Sequence, residues 1–346
     1  MSNFLSRVLI IAPTKIGEAV IAQTLFISLK KIYPGLLIDV LAEPAVSPVF
    51  ERMSEINTVF IKHFKKNSLQ LWQRWLTAID LRKQNYDAAY ILSNTYVSAF
   101  IPKLAGISLR IGYLGTCRYG WLNVIHPNQN KKNKLYSLAQ YYSALAYLPK
   151  AKVPEMIFKP RLEADYNESN RLYHRFNLDT RLPLISFCSE AEHAPSKRWP
   201  VENFIKLAKL IKISFPYCQI IILGSQKEVR TANEIVKQVQ YVSNLCGQTS
   251  LNEACALLSR TAVNICNDTG LMHIASALRR PLIALYGSTD PRHAPPLSDN
   301  ACIKWLHLDC SPCYKSICPL KHHHCMQLLT PEKVFNEMRQ LMKLSI

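Results

Sequence analysis

Short apolar runs alternate with longer segments of helical spacing along most of this chain. Runs of four or five apolar residues are typical of strands that are buried on both faces of a parallel sheet. The predicted strands are 8–12, 37–41, 58–61, 88–92, 184–188, 220–223, 262–266 and 282–286, and helices are predicted at 19–32 and 69–84. This alternation implies right-handed crossovers and an α/β fold.

Prolines divide the chain into two such series. Residues 149–183 contain four prolines and a charged, helix-like stretch at 164–176. We interpret 1–160 as an N-terminal domain, 161–183 as a connector, 184–330 as a C-terminal domain and 331–346 as a final helix. A length of 346 residues is sufficient for two domains that each have a core.

The composition is that of an ordinary globular protein, with 49% hydrophobic and 19% charged residues. The first residues contain only a short apolar run between Arg7 and Lys15, which predicts a core strand rather than a signal peptide. No eighteen consecutive residues are apolar, so no membrane-spanning helix is predicted. We expect a cytoplasmic protein.

The net charge of +18 is the unusual feature of the composition. Residues 1–150 carry 18 Lys and Arg against 7 Asp and Glu, so most of the excess lies in the first half. An anionic partner is therefore expected there, and the candidates are nucleic acid, an acidic membrane lipid and an acidic glycolipid substrate. Nucleic acid is disfavoured because the chain lacks an RNA-binding aromatic motif, a basic zipper helix and a basic low-complexity arm. An acidic glycolipid at a membrane surface satisfies the charge.

Two common nucleotide-binding motifs are absent. The first strand is followed by IIAPTKIGEAV rather than by GxGxxG, and no GxxxxGK[ST] occurs anywhere. These absences argue against a redox dinucleotide enzyme and against a P-loop NTPase. A nucleotide that is held by a basic loop and a helix start remains possible.

Two segments of the second half suggest such a site. After strand 262–266, Asp268, Thr269 and Gly270 open a helix whose N–H groups and dipole favour a phosphate. Lys197 follows strand 184–188, on the side where open α/β sheets bind ligands. Taken singly, each segment has an alternative explanation, an N-cap for the first and a solvated basic pair for the second.

Seven motifs, in order, resemble the bacterial lipopolysaccharide heptosyltransferase family, and in particular its heptosyltransferase II branch. They are RVLIIAPTKIGEAVIAQTLFISLKKIYPGLLIDVLA, NTYVSAFIPKLAGI, RYGWLN, SKRWP, IIILGS, NDTGLMH and RPLIALYGSTDP, and a tail CSPCYKSICPLKHHHCMQLLTPEKV occurs in some members. The resemblance implies the GT-B fold, with two doubly wound Rossmann-like domains that face a central cleft. The N-terminal domain would bind the acceptor and the C-terminal domain the nucleotide sugar.

The resemblance also implies a reaction. An inverting enzyme of this kind transfers L-glycero-D-manno-heptose from ADP-heptose to the first heptose of the acidic inner core, Kdo-lipid A with one heptose. It requires no catalytic metal and works at the inner face of the inner membrane. Heptosyltransferase I, which acts on Kdo-lipid A, is the alternative within the family. A basic membrane-surface or nucleic-acid binding protein with a Cys-cluster metal module is the alternative from another class.

Residue roles follow from the matched motifs. In the family, the loop lysine and the D-[ST]-G turn contact the phosphates and sugar of the donor, and an acidic residue binds the nucleotide ribose. The corresponding residues are Lys197, Asp268, Thr269, Gly270, His273 and, for the ribose, Glu228. Glu228 has a second interpretation as a helix-start charge that interacts with the dipole.

Glu18 is the candidate general base for the acceptor hydroxyl. The family pattern at this position is GDM, whereas this chain reads GEA, so the carboxylate stands one methylene further from the backbone. The alternative is that Glu18 simply begins a helix. Arg110 and Arg118 are candidate anchors for acidic groups of the acceptor, or solvated arginines.

Eleven cysteines in an expected cytoplasmic chain argue against a disulfide framework. Four of them, Cys310, Cys313, Cys318 and Cys325, have spacing that suits a structural zinc or iron site, and free thiols are the alternative. A metal there is expected to be structural because the cluster is far from Glu18 and Lys197 in sequence. Cys188, Cys246, Cys255 and Cys266 lie in apolar runs and are expected in the core.

Overall fold

The computed structural model describes residues 5–65, 68–93, 95–115, 119–127, 136–152, 155–189 and 194–343. The chain divides into two compact units, Met1–Pro160 and Arg161–Ile346. None of the helices in these ranges is both long and apolar enough to span a bilayer.

The first unit contains one parallel sheet in the order β3-β2-β1-β4-β5-β6. Its strands are β1 Arg7–Ile11, β2 Leu37–Ala42, β3 Ile56–Ile61, β4 Ala88–Ile91, β5 Leu109–Tyr113 and β6 Val124–His126. Its helices are α1 Ile16–Ile32, α2 Ser47–Phe50, α3 Leu71–Arg82, α4 Phe100–Leu104 and α5 Leu138–Ala144, with a 3₁₀ turn at Tyr96–Ala99.

The second unit contains another parallel sheet, in the order β12-β11-β10-β7-β8-β9. Its strands are β7 Leu184–Cys188, β8 Gln219–Ile222, β9 Val242–Asn244, β10 Val263–Asn267, β11 Leu282–Tyr286 and β12 Ala301–Trp305. Its helices are α6 Tyr166–Arg175, α7 Val201–Ser214, α8 Val229–Gln238, α9 Leu251–Leu258, α10 Gly270–Ala277, α11 His324–Gln327 and α12 Pro331–Lys343, with 3₁₀ turns at Pro195–Lys197 and Gln226–Glu228.

The two sheets have the same connectivity. In each, the first strand lies between the second and the fourth, so that the chain reverses its direction of winding at one point. That point lies between β1 and β4 in the first sheet and between β7 and β10 in the second. Ligands of doubly wound sheets bind outside the carboxyl ends of these strands. The topology therefore identifies one expected site edge in each unit.

All eight predicted strands are present, with ends that differ by up to two residues. The prediction omitted β5, β6, β9 and β12. Strands β6 and β9 are only three residues long, and β12 forms a sheet edge where Lys304 interrupts the apolar run. Such short or edge strands do not produce the continuous apolar signal of buried ones.

Residues 161–183, interpreted from the sequence as a connector, pack as part of the second unit. The Leu162 N–H donates to Ala277 O at 3.1 Å. Helix α6 packs on α9, and the Arg175 guanidinium contacts the Glu253 carboxylate at 2.8 Å. The charged appearance of this segment reflects the exposed face of a packed helix. Its buried face is provided by Ser169, Leu172 and Tyr173.

Each unit has its own apolar core. In the second unit the core is formed around β7, β8 and α7, and it includes the fully buried Trp199 beside Phe204. Cys188, Cys246, Cys255 and Cys266 are buried, as the apolar runs predicted. All cysteines in the described ranges are free thiols.

Candidate functional site

The site edge of the second sheet combines two loops. Lys197 ends the 3₁₀ turn Pro195–Lys197, in the loop that follows β7. Asp268 directly follows β10, which is the neighbour of β7 in the sheet. The two residues lie 71 positions apart in the chain and meet at the point where the winding of the sheet reverses.

An ion pair joins these loops. Lys197 Nζ lies 2.5 Å from Asp268 Oδ2, and the Thr289 hydroxyl donates to the same oxygen at 2.8 Å. The Lys197 side chain is 25% exposed and that of Asp268 is 12% exposed, so both remain accessible at the site edge while water is partly excluded. This arrangement holds the Lys197 ammonium group in a fixed position near the start of α10.

The start of α10 provides backbone donors beside this ion pair. Thr269 is the N-cap, as predicted, and its hydroxyl accepts from the Met272 N–H at 3.4 Å. Gly270 is the first helical residue. The first N–H groups of a helix have no acceptor within the helix, and they carry the positive end of its dipole. With Lys197, they form a site that is suited to a phosphate.

His273 lies one turn into α10 and is buried. The pKa of His273 is lowered to about 4, mainly by burial; the Asp268 charge opposes this lowering and the Lys197 charge adds to it. The imidazole is therefore neutral near pH 7. A neutral imidazole can donate or accept a hydrogen bond in the site without adding charge to it.

Asn267 positions the loop that carries Lys197. This role of Asn267 was not predicted from the sequence. Its side chain donates to Ser189 O at 2.5 Å and accepts from the Trp199 N–H at 3.2 Å. The indole of Trp199 in turn donates to Leu329 O at 2.8 Å. An amide at the end of an apolar strand, directly before Asp268, was the available signal. The loop is thus fastened on both sides of Lys197.

The segment that contains the four candidate metal-binding cysteines contacts the same loop. The Ser196 hydroxyl lies 2.8 Å from Ser288 Oγ and 2.5 Å from Lys315 O. The Ser196 N–H donates to Ser316 O at 3.0 Å, and the Tyr314 N–H donates to Ser288 O at 2.8 Å. The segment is therefore far from Lys197 in sequence but close to the Lys197 loop in space. A change in this segment can influence the position of Lys197.

The four cysteines lie near one another in this segment. Burial raises the pKa of Cys325, and the charges of Cys310, Cys313 and Cys318 raise it further. The N–H of His323 is the main cause that lowers the pKa of Cys318. Within the described ranges, however, no three Cys, His, Asp or Glu side chains are arranged to hold a metal ion. The charge interactions show that the four thiols are close together, but the thiols are not arranged around a common metal position.

Gly287, at the end of β11, explains why the Cys segment packs so closely. A Cβ at this position would lie 2.6 Å from Met326 Sδ and 3.2 Å from Cys325 Sγ. The Ser311 hydroxyl also donates to Gly287 O at 2.5 Å. The absence of a side chain at Gly287 lets the segment reach the strand end. The segment is therefore an integral wall of this edge of the sheet.

Glu228 follows β8 and is buried at the start of α8. One carboxylate oxygen accepts from the Ser225 N–H at 2.5 Å, in a reciprocal capping box. The same oxygen would be 1.9 Å from a Cβ added at Gly224, so its position depends on that glycine. These contacts favour the helix-start interpretation. Binding of a ribose by Glu228 stays a prediction.

Glu18 lies at the site edge of the first sheet, in the first turn of α1 after β1. Its carboxylate contacts Lys15 Nζ at 2.9 Å, and the Glu18 side chain is 32% exposed. The Glu18 charge contributes to raising the pKa of buried Tyr142, although burial is the larger cause. The carboxylate is thus accessible, and it pairs with an exposed lysine.

Arg110 on β5 donates hydrogen bonds to main-chain carbonyl groups around it. Its guanidinium donates to Trp121 O and Ile107 O at 2.7 Å each, and to Ser108 O at 3.2 Å. These bonds fasten β5 to the segments on either side, which favours a structural role over an acceptor anchor. Arg118 lies outside the described residues.

The sequence matches the family model described as "Glycosyltransferase family 9 (heptosyltransferase)" over residues 74–324. The chain belongs to glycosyltransferase family 9. Lipopolysaccharide heptosyltransferase 2 of Escherichia coli K12 is 33% identical, over 97% of this chain and 98% of that protein. The solved structure of E. coli ADP-heptose LPS heptosyltransferase II matches 98% of this chain and 99% of that chain, with a TM-score of 0.86 and 32% identity.

Lipopolysaccharide heptosyltransferase 1 of E. coli is more distant, at 22% identity over 82% of this chain and 89% of that protein. The comparisons confirm the predicted family and the GT-B fold of two Rossmann-like units. Membership of family 9 makes the chain a glycosyltransferase, which removes the alternative of a basic binding protein. The structure brings Lys197, Asp268, Thr269, Gly270 and His273 together, and their individual roles stay predictions.

Proposed function

We propose that this family 9 enzyme transfers L-glycero-D-manno-heptose from ADP-heptose to the first heptose of the lipopolysaccharide inner core, with inversion at the anomeric carbon. The observation that carries the donor assignment is the Lys197 to Asp268 ion pair at the switch point of the second sheet. Greater similarity to heptosyltransferase 2 than to heptosyltransferase 1 supports the acceptor assignment. Transfer to Kdo-lipid A is the alternative.

The donor half of the reaction needs stabilisation of the departing diphosphate. As the bond between the anomeric carbon and the phosphate oxygen breaks, ADP leaves with the electron pair and its negative charge increases. Lys197 and the N–H groups at Gly270 and Leu271 are positioned to offset that charge. Asp268 would hold Lys197 before the donor binds and would then accept hydrogen bonds from sugar hydroxyls. Thr269 and His273 complete the proposed donor contacts.

The acceptor half needs a base. In the proposed step, the Glu18 carboxylate accepts the proton of the acceptor hydroxyl while the hydroxyl oxygen forms a bond to the anomeric carbon. The accessibility of Glu18 at the switch point of the first sheet supports this role. The extra methylene relative to the family's aspartate changes the reach of the carboxylate, and small displacements matter for a proton transfer.

The acceptor itself is acidic and attached to lipid. The excess of basic residues in the first half of the chain supports an N-terminal unit that binds this acceptor at the inner face of the inner membrane. Arg118 remains a proposed anchor for its acidic groups, and Arg110 is a weaker one because of its main-chain contacts. The second unit would hold ADP-heptose.

We also propose that Cys310, Cys313, Cys318 and Cys325 hold one zinc or iron ion. Electrostatic interaction among the thiols and the backbone N–H groups directed at Cys318 support the proposal. Because no three ligating side chains in the described ranges are arranged to hold an ion, the thiols would have to reorient when the metal binds. The ion would stabilise the segment that contacts Ser196 and Ser288, and no step of the reaction would use it. Elemental analysis of protein purified without a His tag tests this. Less than about a tenth of an equivalent of zinc plus iron would rule out the ion.

Transfer assays test the function. We expect ADP-heptose consumption and a mass increase of one heptose with an acceptor that contains Kdo and one heptose, and little product with Kdo alone. Faster transfer to the acceptor that contains Kdo alone would support the heptosyltransferase I alternative. No transfer to either acceptor, with intact ADP binding, would contradict the acceptor assignment but not the donor site.

A further inference from the structure

Helix α3 is apolar on two opposite sides. Thr77, Ala78 and Leu81 face the core of the first unit and are buried. Trp72, Trp75, Leu76 and Ile79 are spaced three and four positions apart, which places them together on the other side of the helix. An ordinary surface helix has charged or polar residues on that side. We call Leu71, Trp72, Trp75, Leu76 and Ile79 the outer face of α3.

Four of the five outer-face side chains are exposed, and Ile79 is half-buried. Trp72 is 65% accessible, Leu71 52%, and Trp75 and Leu76 43% each. The two indole rings stack with centroids 4.9 Å apart. The other three tryptophans of the chain are buried or half-buried. Exposed tryptophans that adjoin one another and two leucines form a contiguous apolar patch, and patches of this kind mark interaction sites.

Positive charge flanks this patch along the chain. Residues 62–83 contain six Lys and Arg and one acidic residue, Asp80. Lys62 and Lys65 are exposed just before α3, and Asp80 lies 3.9 Å from Lys83, which offsets its charge. The Arg74 guanidinium stacks on the Phe64 ring at 4.1 Å, which fastens the basic segment to the helix. The partner of the patch is therefore expected to be both apolar and anionic.

We propose that the outer face of α3 and the adjacent basic segment dock on an anionic phospholipid bilayer. Tryptophan rings are favoured at the level of lipid headgroups, where one part of the ring is in contact with acyl chains and the N–H remains hydrated. Lysines beside them are attracted by anionic headgroups. A helix that combines both features lies in the plane of the interface.

A second copy of this chain fits the patch less well. In a two-fold symmetric dimer the outer face would meet itself, and the basic residues at both ends would then face one another. Repulsion between them would oppose the apolar contact. An anionic bilayer removes that conflict because it neutralises the same residues. The docking proposal rests on the proposed function only through the lipid attachment of the acceptor.

Sedimentation of the full chain with vesicles tests the proposal. We expect binding to vesicles of phosphatidylethanolamine with phosphatidylglycerol, weak binding to phosphatidylcholine vesicles, and a decrease as salt increases. Trp72→Ser with Trp75→Ser should lower the partition coefficient about tenfold or more. The matched control is Ile213→Ser with Tyr217→Ser, which removes two exposed apolar side chains of the second unit and should leave binding unchanged.

A charge variant avoids dependence on the tryptophans alone. Lys62→Glu with Lys65→Glu changes only exposed side chains and should lower binding to anionic vesicles by a similar factor. Equal binding of wild type and both variants would overturn the proposal, as would equal binding to phosphatidylcholine. A wild-type dimer that the tryptophan variant converts to a monomer would assign the patch to a second copy instead.

Kinetics with a lipid-free acceptor separate docking from acceptor recognition. The tryptophan variant should transfer heptose to a delipidated core oligosaccharide with wild-type kcat and KM. A KM that increases as much as the vesicle affinity falls would make the patch an acceptor site and overturn the proposal. If wild type binds vesicles but transfers no heptose, the proposed function fails while docking is retained. If it transfers heptose but binds no vesicles, docking alone fails.

Discussion

The two sheets have the same strand order, but their site edges differ in how closely the side chains are connected. In the second unit, Lys197 and Asp268 form an ion pair that Thr289 extends, and Asn267 and Ser196 fasten the loop around it. In the first unit, the corresponding edge presents Glu18, which contacts an exposed lysine. The site edge of the second sheet is a hydrogen-bonded network, whereas that of the first sheet presents a single accessible carboxylate.

The difference matches what each edge is proposed to do. Stabilising a departing diphosphate requires donors that are fixed before charge develops, since moving them during the reaction would reduce the benefit. Accepting a proton requires only that one carboxylate reach the hydroxyl of a bound acceptor. A common fold can therefore support a rigid donor site and a more open acceptor site. Substitutions at the two edges should have different kinetic signatures.

The largest effect is expected at the first edge. Glu18→Gln keeps the size of the side chain but removes its capacity to accept a proton, so kcat should fall about 1000-fold. Affinity for ADP, measured by calorimetry, should stay at the wild-type value because the proposed donor contacts belong to other residues. Loss of the contact with Lys15 should change stability little, since both groups are accessible.

Glu18→Asp is the matched control because it restores the family's residue at that position. It should keep the capacity to accept a proton and retain much of the activity. If Glu18→Gln reacts at close to the wild-type rate, the base is another acidic residue and the comparison between the two edges loses its kinetic basis.

The second edge should respond to Lys197→Ala with a fall in kcat of about 100-fold. Because Lys197 is proposed to contact the diphosphate, ADP affinity should fall as well, which distinguishes this variant from Glu18→Gln. Lys209→Ala, at an exposed lysine on α7, is the control for lost charge and should be close to wild type. Unchanged turnover in Lys197→Ala would remove this residue from the donor site.

The sequence predicts well what local pattern determines. Buried parallel strands and the N-cap at Thr269 have signatures within a few residues, and the structure contains them. Placing Lys197 and Asp268 at one edge also followed from the sequence, since both come after strands. The sequence did not predict the ion pair between Lys197 and Asp268, which depends on the position of β10 beside β7.

Contacts between distant segments were not predictable in the same way. The Cys segment is far from Lys197 in sequence, but the chain returns after β11 and β12 and bonds to Ser196. No spacing rule reports such a return. Similarly, Arg110 looked like a binding residue because an arginine in a polar motif gives no sign that backbone carbonyls will surround its guanidinium.

His273 gives the second unit a specific pH dependence. Its folded pKa, lowered by burial to about 4, lies below the unfolded value near 6.5. The unfolded chain therefore binds more protons, so the stabilisation is present above about pH 6.5 and is lost as pH falls toward 4. That loss should be on the order of 3 kcal/mol at most. Urea unfolding monitored by far-UV circular dichroism at pH 7 and 4.5 measures it.

The comparison with His273→Gln isolates this contribution. The variant lacks the titrating group, so its stability should fall less between pH 7 and 4.5 than that of wild type. An equal fall in both proteins would mean that other groups cause the pH dependence. The buried carboxylate of Asp290, whose pKa is lowered by hydrogen bonds from Arg292, is the next candidate because its stabilisation is also lost toward acid pH.

The smallest effect is expected where the Cys segment supports Lys197. Ser196→Ala removes the hydroxyl that contacts both Ser288 Oγ and Lys315 O, so Lys197 should be less precisely held and kcat should fall about tenfold.

Ser311→Ala is the matched control, because its hydroxyl joins the same segment to Gly287 O without contacting the Lys197 loop. Both should lose about 1 kcal/mol of stability, but only Ser196→Ala should lose kcat. Ser196→Thr, which retains a hydroxyl, should recover part of it. Equal losses of kcat in the two alanine variants would mean that the segment acts through general stability, and that the bonded network of the second edge extends no further than Asn267, Asp268 and Thr289.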